Sequence, residues 1–370
     1  RTLRIKIMQS LFAFEQCKEA NYQLAHDFIL AEFQPDLNSM EVQDKDLLKK
    51  QRKEGAQYFE KKFLQEDTPP TEDSRVNKVV DQALANYHQQ VQKDQQFLAR
   101  NLITEIQKLT TLYHTVLRLL VSLGDAAGAV KRGSHTNFVK SEVLLSISQD
   151  EKLKKEWSKS AETNIDADRV RTWFRDVVKE DADYQKFIDS KNPTIDQQQN
   201  ILRHIVRRII LGKTVINDYF EEKDLRWTED REIIKSLVEK TIKSFAEGKI
   251  TEQKVSIDWE DDQQFIEKLF KQTATLEAAY KDLIAQNTKN WEVDRLPLTD
   301  RVILEMAISE MVFFQNIPVK VTINEYIELT KEYSTPKSRQ FINGILDVIA
   351  KLLASQGKIK KSGRGLIDNK

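Results

Sequence analysis

The chain reads as all-α, and three observations carry that reading. Its 370 residues include 10 glycines and 7 prolines, fewer than the turns of a β architecture require. Apolar residues recur at three- and four-residue intervals along most of the length, the period of a helix with one buried side. Hydroxyl, acidic and proline residues stand where such segments begin.

At the start, Arg1, Arg4 and Lys6 are interspersed with Leu3, Ile5, Ile7 and Met8, and Leu11, Phe12 and Phe14 continue the apolar side. This predicts a helix with a packed face and a cationic end. Tyr22 to Leu64 is helical in pattern, with a break near Gln34 to Asn38. Gln65 to Asp73 holds paired prolines and four acids, the clearest linker of the first half. Val76 to His88 and Phe97 to Leu123 read as two helices. Glu105, Lys108, His114 and Arg118 mark the second as internal to a protein, because a bilayer needs about 20 consecutive apolar residues. Gly124 to Ser134 is a flexible loop whose Lys131 and Arg132 are a candidate phosphate contact.

Short helices are expected over Phe138 to Ser146 and Lys152 to Ser160. Asp166 to Ile188 follows, with Val170, Trp173, Phe174, Val177 and Val178 inward. Pro193 and Thr194 precede a long helix carrying Ile201, Leu202, Ile205, Val206, Ile209 and Ile210. On its other side, Arg203, Arg207 and Arg208 with His204 form a stripe expected to pair with acids, with RNA phosphates as the alternative. Arg231 to Glu247 is closed by Gly248. Asp261 to Gln286 turns Phe265, Ile266, Leu269 and Phe270 inward, and Trp291 is expected to pack across the next junction.

Three helices fill Pro297 to Leu353. Thr299 is the expected cap of the first, with Asp300 at the positive end of its dipole. Pro318 stops that helix. Thr322 and Glu325 have capping-box spacing for the second. In the third, Thr335 caps and Pro336 takes the first helical position, where a missing donor is harmless. Gly344 interrupts the inward face of that helix, which predicts helix packing, or the close approach of another backbone or a ligand.

Lysine plus arginine and aspartate plus glutamate both number 58, so any nucleic-acid surface must be a local patch. Cys17 is the single cysteine, which excludes an internal disulfide or a cysteine zinc cluster. With no membrane span and no signal-peptide pattern, a reducing cytoplasm is the expected location and no membrane partner is expected. Phosphate-binding loops, HExxH, GxSxG and CxxC motifs are absent, and the histidines share no ligand spacing with one another. The expectation is a protein that is not an enzyme, with no cofactor, no metal and no catalytic residue.

The order NEYIELTKEYS, a short turn, then SRQFINGILD, preceded by NWEVDRLPL and LTDRVILEMAISEM, resembles the C-terminal half of the NusB family of bacterial transcription antitermination factors. RTLRIKIMQSLFAFEQ is similar to that family's basic first helix. The resemblance implies an all-α, NusB-type helical bundle enlarged by an inserted helical region. The expected divisions are a basic first helix over 1–17, an insertion over 18–259 divided near 124–134, the bundle over 260–355, and a basic flexible tail over 356–370. That tail contains Lys358, Lys360, Lys361 and Arg364.

It further implies binding to boxA-like single-stranded RNA of ribosomal RNA leaders, together with NusE, a small-subunit ribosomal protein, in the RNA polymerase antitermination complex. The residues carried over for RNA are Arg1, Arg4, Lys6, Lys337, Ser338, Arg339, Phe341 and Asn343. Phe12, Asp300 and Arg301 correspond to the NusE side. Two positions depart from the family. It often has a tyrosine where Phe12 stands and an acid where Lys337 stands, and the second change strengthens attraction for phosphate. Methyltransferases with a NusB-like domain are excluded, since they need glycine-rich turns and a nucleophilic cysteine. The alternative function is a protein-only helical adaptor that keeps the bundle and has lost RNA binding.

Overall fold

Thr2–Glu32, 31 residues without a glycine or proline, wind into one helix, α1, in the computed structural model of the chain. The structure describes residues 1–38, 40, 42–130, 135–224, 226–256, 258–287 and 296–369. After the break, α2 spans Lys45–Phe63, and the Asp44 carboxylate caps it by accepting from the Asp46 and Leu47 N–H groups. The acidic linker ends at Asp73, whose carboxylate accepts from Arg75 and Val76 N–H at the head of α3, Ser74–Gly128. This is one 55-residue helix where two were expected. Its polar middle lacks an apolar stripe but contains no glycine or proline to stop the helix, and Asn21 donates to Asp94 there at 2.6 Å.

Contacts divide the chain into two units. One holds Arg1, Leu3–Ile103 and Glu260–Lys370, the other Thr2 and Thr104–Trp259, so the main division falls inside α3. In the first unit, α1, α2 and the start of α3 bury a common core of Ala25, Ile29, Phe33, Tyr58, Phe59, Val76, Val80, Ala83 and Tyr87. Gly55 makes that core possible. A Cβ there would stand 3.0 Å from Ile29 Cγ2 and 3.3 Å from Phe33, tighter than ordinary contact, so α1 and α2 approach only over a glycine.

The second unit contains α4 (Thr136–Val139), α5 (Glu142–Gln149), α6 (Glu151–Lys159), α7 (Ala167–Trp173), α8 (Ala182–Ile188), α9 (Ile195–His204), α10 (Thr214–Lys223) and α11 (Trp227–Lys243). Thr194 and Gln197 form a reciprocal capping box on α9. α7 and α9 each run on into π-helical turns, over Phe174–Val178 and Ile205–Ile210. Trp227 is fully buried, stacked on Phe220 with centroids 4.2 Å apart, and its indole N–H donates to Asn217 Oδ1 at 2.9 Å. Arg203 and Arg207 lie 3.6 and 3.7 Å from Glu239, the acid pairing expected of that stripe.

The chain then returns to the first unit with α12 (Trp259–Ala274), α13 (Ala278–Asn287), α14 (Leu298–Phe313), α15 (Val319–Tyr333) and α16 (Pro336–Ser355). No strand occurs among the described residues; an isolated bridge joins Ala246 and Lys249. No described helix is long and apolar enough to cross a membrane. Thr335 caps α16 with Pro336 following, as expected. The caps expected at Thr299 and Thr322 are corrected. Pro297 and Pro318 occupy the cap positions with extended backbone, so Thr299 lies in a first turn and Thr322 lies buried inside α15. Gly344 is also corrected, since a Cβ there would meet nothing within 4 Å.

The last segment, read as a flexible tail, folds back within this unit. Lys361 Nζ donates to the Phe314 carbonyl at 2.8 Å, and Ser362 N–H to the Gln315 carbonyl at 3.0 Å. The roles expected of Lys131, Arg132 and Trp291 lie outside the described residues.

Glu305, in the middle of α14, is 5% exposed, and burial raises its carboxyl pKa. A raised acid pKa in the folded state stabilises the fold only while the acid keeps its proton. That contribution is complete below the unfolded pKa and is lost as pH rises through the folded one. Glu305→Gln should therefore match the parent in thermal unfolding near about pH 4 and melt higher near about pH 8. A constant difference at both pH values would contradict this.

Candidate nucleic-acid interface

The chain ends meet in the first unit through one buried charge. Arg4 projects from α1 with its side chain 12% exposed, and Glu310 on α14 is wholly enclosed. Arg4 Nε donates to Glu310 Oε2 at 2.8 Å and Nη2 to Oε1 at 2.9 Å, the bidentate geometry that suits guanidinium and carboxylate. Thr322 and Tyr326 of α15 donate to the same carboxylate at 2.9 and 3.1 Å. The guanidinium also lies 5.1 Å from the Phe265 ring centroid, within cation–π range. Burial alone would lower the Arg4 pKa, but the hydrogen bonds and charge of Glu310 outweigh it and the net shift is upward. Burial, then the Glu310 charge, push the Tyr326 hydroxyl well above its usual value.

Arg4, expected to face RNA, instead has its Nε and Nη2 engaged by Glu310 and its side chain largely enclosed. Lys6 is corrected as well, being fully buried. Arg1 is exposed but shared with acids: Nε is 3.4 Å from Glu325 and Nη1 is 3.8 Å from Glu328. Glu325, expected to serve a capping box, is thus an ion-pair partner. The Lys331 hydrogen bond first, and then the charges of Lys331, Arg1 and Arg339, hold the Glu328 carboxyl below its usual range. Arg1 and Arg339, from opposite ends of the sequence, therefore act on one carboxylate.

At the head of α16, Lys337, Arg339 and Asn343 are exposed and Phe341 is half-buried. Ser338 is buried. Its N–H donates to Thr335 Oγ1 at 3.2 Å, and its hydroxyl lies 2.9 Å from the same atom. Its role is the helix cap, which corrects its place among the RNA contacts. The side expected to meet a protein is mixed. Phe12 is 38% exposed, whereas Asp300 is 1% exposed and turned into the fold, away from the partner expected to meet it. Arg301 is exposed and pairs with Glu15 at 3.1 Å.

Sequence reasoning missed Glu310. The signal was present, since Glu310 lies four residues after Met306 and seven after Ile303, on the stripe read as buried. One group among the described residues has the spacing to hold a metal ion: Asp181, Asp183 and His204. His204 Nε2 is 3.0 Å from Asp181 and Nδ1 is 3.5 Å from Asp183, so both ring nitrogens already face carboxylates. Spacing among histidines alone could not reveal a group built around two aspartates.

The NusB family profile matches residues 228–351, from α11 through most of α16 and starting ahead of residue 260. Proteins described as transcription antitermination protein NusB from Chloroherpeton thalassium, Salinibacter ruber and Natranaerobius thermophilus are 47%, 44% and 49% identical over 85, 93 and 72 residues. Those stretches are 23%, 25% and 20% of this chain and 40%, 58% and 52% of the relatives, so the chain spans about half the length of the relatives it matches. A solved structure of T. maritima NusB aligns at 29% identity over 46% of this chain and 98% of its own, with a TM-score of 0.23.

Tyr326→Phe deletes one donor to a buried carboxylate without opening a cavity. Urea unfolding should show a loss of about 1.5–3 kcal/mol, the range for a hydrogen bond to a charged group. An unchanged midpoint would mean that Glu310 does not need that donor.

Proposed function

From the NusB family domain at residues 228–351, we propose that this chain is an RNA-binding transcription antitermination factor. It acts on boxA-like single-stranded RNA of ribosomal RNA leaders, together with NusE in the RNA polymerase antitermination complex. The observation that supports this best is the placing of Arg1 beside Glu325 and Glu328 of α15, at 3.4 and 3.8 Å, with the charge of Arg339 also acting on Glu328, so that cations from distant parts of the sequence influence one carboxylate. Lys337 and Arg339 are exposed in the first turn of α16, beside a helix N-terminus that favours anions. Phe341 and Asn343 follow on the same helix, an aromatic ring and an amide of the kind that stack on and hydrogen-bond to unpaired bases. Phe12 and Arg301 are the contacts offered to NusE.

The chemistry is binding rather than catalysis. Cations neutralise phosphates and release counterions, so affinity should fall steeply with salt. Lys337→Glu combined with Arg339→Glu should weaken binding to a boxA-like RNA at least tenfold in anisotropy titrations. The slope of log affinity against log salt should become shallower by about 1.4, at about 0.7 per lost phosphate contact on a single strand. Adding NusE should tighten binding by the parent chain. If the reversed variant binds RNA as the parent does, or the parent binds none at low salt, the protein-only adaptor becomes the better reading.

A further inference from the structure

α2 lies outside the matched family domain and has a charge pattern unlike the other helices. It contains seven cations, Lys45, Lys49, Lys50, Arg52, Lys53, Lys61 and Lys62, against three carboxylates, Asp46, Glu54 and Glu60. Its inward side is committed: Gln51, Gly55, Tyr58 and Phe59 are buried. Lys45, Lys49, Lys50, Arg52 and Lys53 are all exposed. At 100° per residue, Lys49, Lys50 and Lys53 lie roughly opposite that core, with Lys45 and Arg52 along its flank.

Elsewhere lysines sit on a carboxylate one turn away, as in Lys154 with Glu151, Lys159 with Glu156, Lys235 with Glu232 and Lys331 with Glu328. None of the five α2 cations lies within ion-pair distance of a carboxylate among the described residues; Lys62, paired with Asp81, is the cation of this helix that does. Asp46 and Glu54 are on the same helix and are not recruited. Lys45 and Lys49, and Lys49 and Lys53, are like charges four residues apart, and Lys49 with Arg52 and Lys50 with Lys53 are three apart. Each such pair repels and lowers the helix's own stability. In a chain of zero formal net charge, the folded protein alone gives no reason to gather them.

We propose that this outward face of α2 is a second RNA-contacting surface, which grips backbone phosphates without reading sequence. That face, from Lys45 to Lys53, runs about 12 Å along the helix, at about 1.5 Å per residue. No aromatic ring is exposed on it, since Tyr58 and Phe59 belong to the core, so it has nothing to stack on bases. An anionic membrane is the weaker fit, because a helix that lies on lipid needs a free apolar face and this one is buried in the protein. The choice of RNA as the polyanion rests on the RNA-binding reading of the terminal helices.

The test uses the full chain with five glutamines, at Lys45, Lys49, Lys50, Arg52 and Lys53, and a second variant with the four lysines changed to arginine. Glutamine keeps helix propensity and removes the like-charge repulsion, so the glutamine variant should unfold at the same or a higher urea concentration than the parent. Titration with a single-stranded RNA of arbitrary sequence should give a salt slope shallower by at least 2, towards a limit of about 3.5 for five contacts. The arginine variant should keep the parent's slope. An unchanged slope in the glutamine variant overturns the proposal. So does a loss of binding to phosphatidylserine vesicles in place of RNA. If Lys337→Glu with Arg339→Glu weakens RNA binding and the glutamine variant does not, this inference fails while the family reading stands. If only the glutamine variant weakens it, the reverse holds, and a parent that binds no RNA at any salt overturns both.

Discussion

The structure of the terminal helices depends on one enclosed ion pair. Removing a guanidinium and a carboxylate from water has a desolvation cost of several kcal/mol per ion, which close geometry alone does not always offset. Here the Glu310 carboxylate receives two N–H bonds from Arg4 and one hydroxyl bond each from Thr322 and Tyr326, so its oxygens are satisfied without water. The pair joins residues 306 positions apart and permits little choice of register. A slip of α1 by one turn would leave a buried carboxylate on α14 without its cation, and α1, α14 and α15 are fixed together for that reason.

The surface follows from this. With Arg4 held at Glu310, Arg1 emerges beside Glu325 and Glu328 on α15, where the charge of Arg339 also reaches. Arg4 and Lys6, carried over as RNA contacts by resemblance, are enclosed, and Lys337 and Arg339 are exposed cations of α16. On the proposed reading, an RNA backbone would be met by few groups near the matched segment. The unpaired cations of α2 would enlarge that supply, in a chain whose overall charge provides no attraction.

Much of the fold was legible in the sequence where local chemistry is unambiguous. Thr335 followed by Pro336 marked the start of α16, and the break after α1 and the acidic linker before α3 fell where expected. What was not legible depended on partners distant in sequence. Thr299 and Thr322 carry the hydroxyl of a cap, but a preceding proline starts each helix, and a threonine one turn inside can turn its hydroxyl to a buried acid instead. The polar middle of α3 was read as a break because periodicity was lost, although nothing there stops a helix. Gly344 was credited with a close approach it does not make, while Gly55 makes one that a list of glycines could not single out. At the site, Arg4 looks like an ordinary surface charge in isolation, and Glu310, although on the stripe read as buried, gives no sign of its partner; only their meeting shows why both are interior.

The most direct measurement of this account is a double-mutant cycle on folding stability with Arg4→Met, Glu310→Gln and the two together, followed by urea unfolding. Removing either partner should destabilise by about 3–5 kcal/mol, as for a buried pair broken on one side. The double variant should lose less than the sum of the two by roughly 2 kcal/mol or more, at the upper part of the range for directly coupled residues. If the two losses add to within about 0.5 kcal/mol, as they do for independent sites, Arg4 and Glu310 are not the tie that fixes the chain ends and the account is wrong.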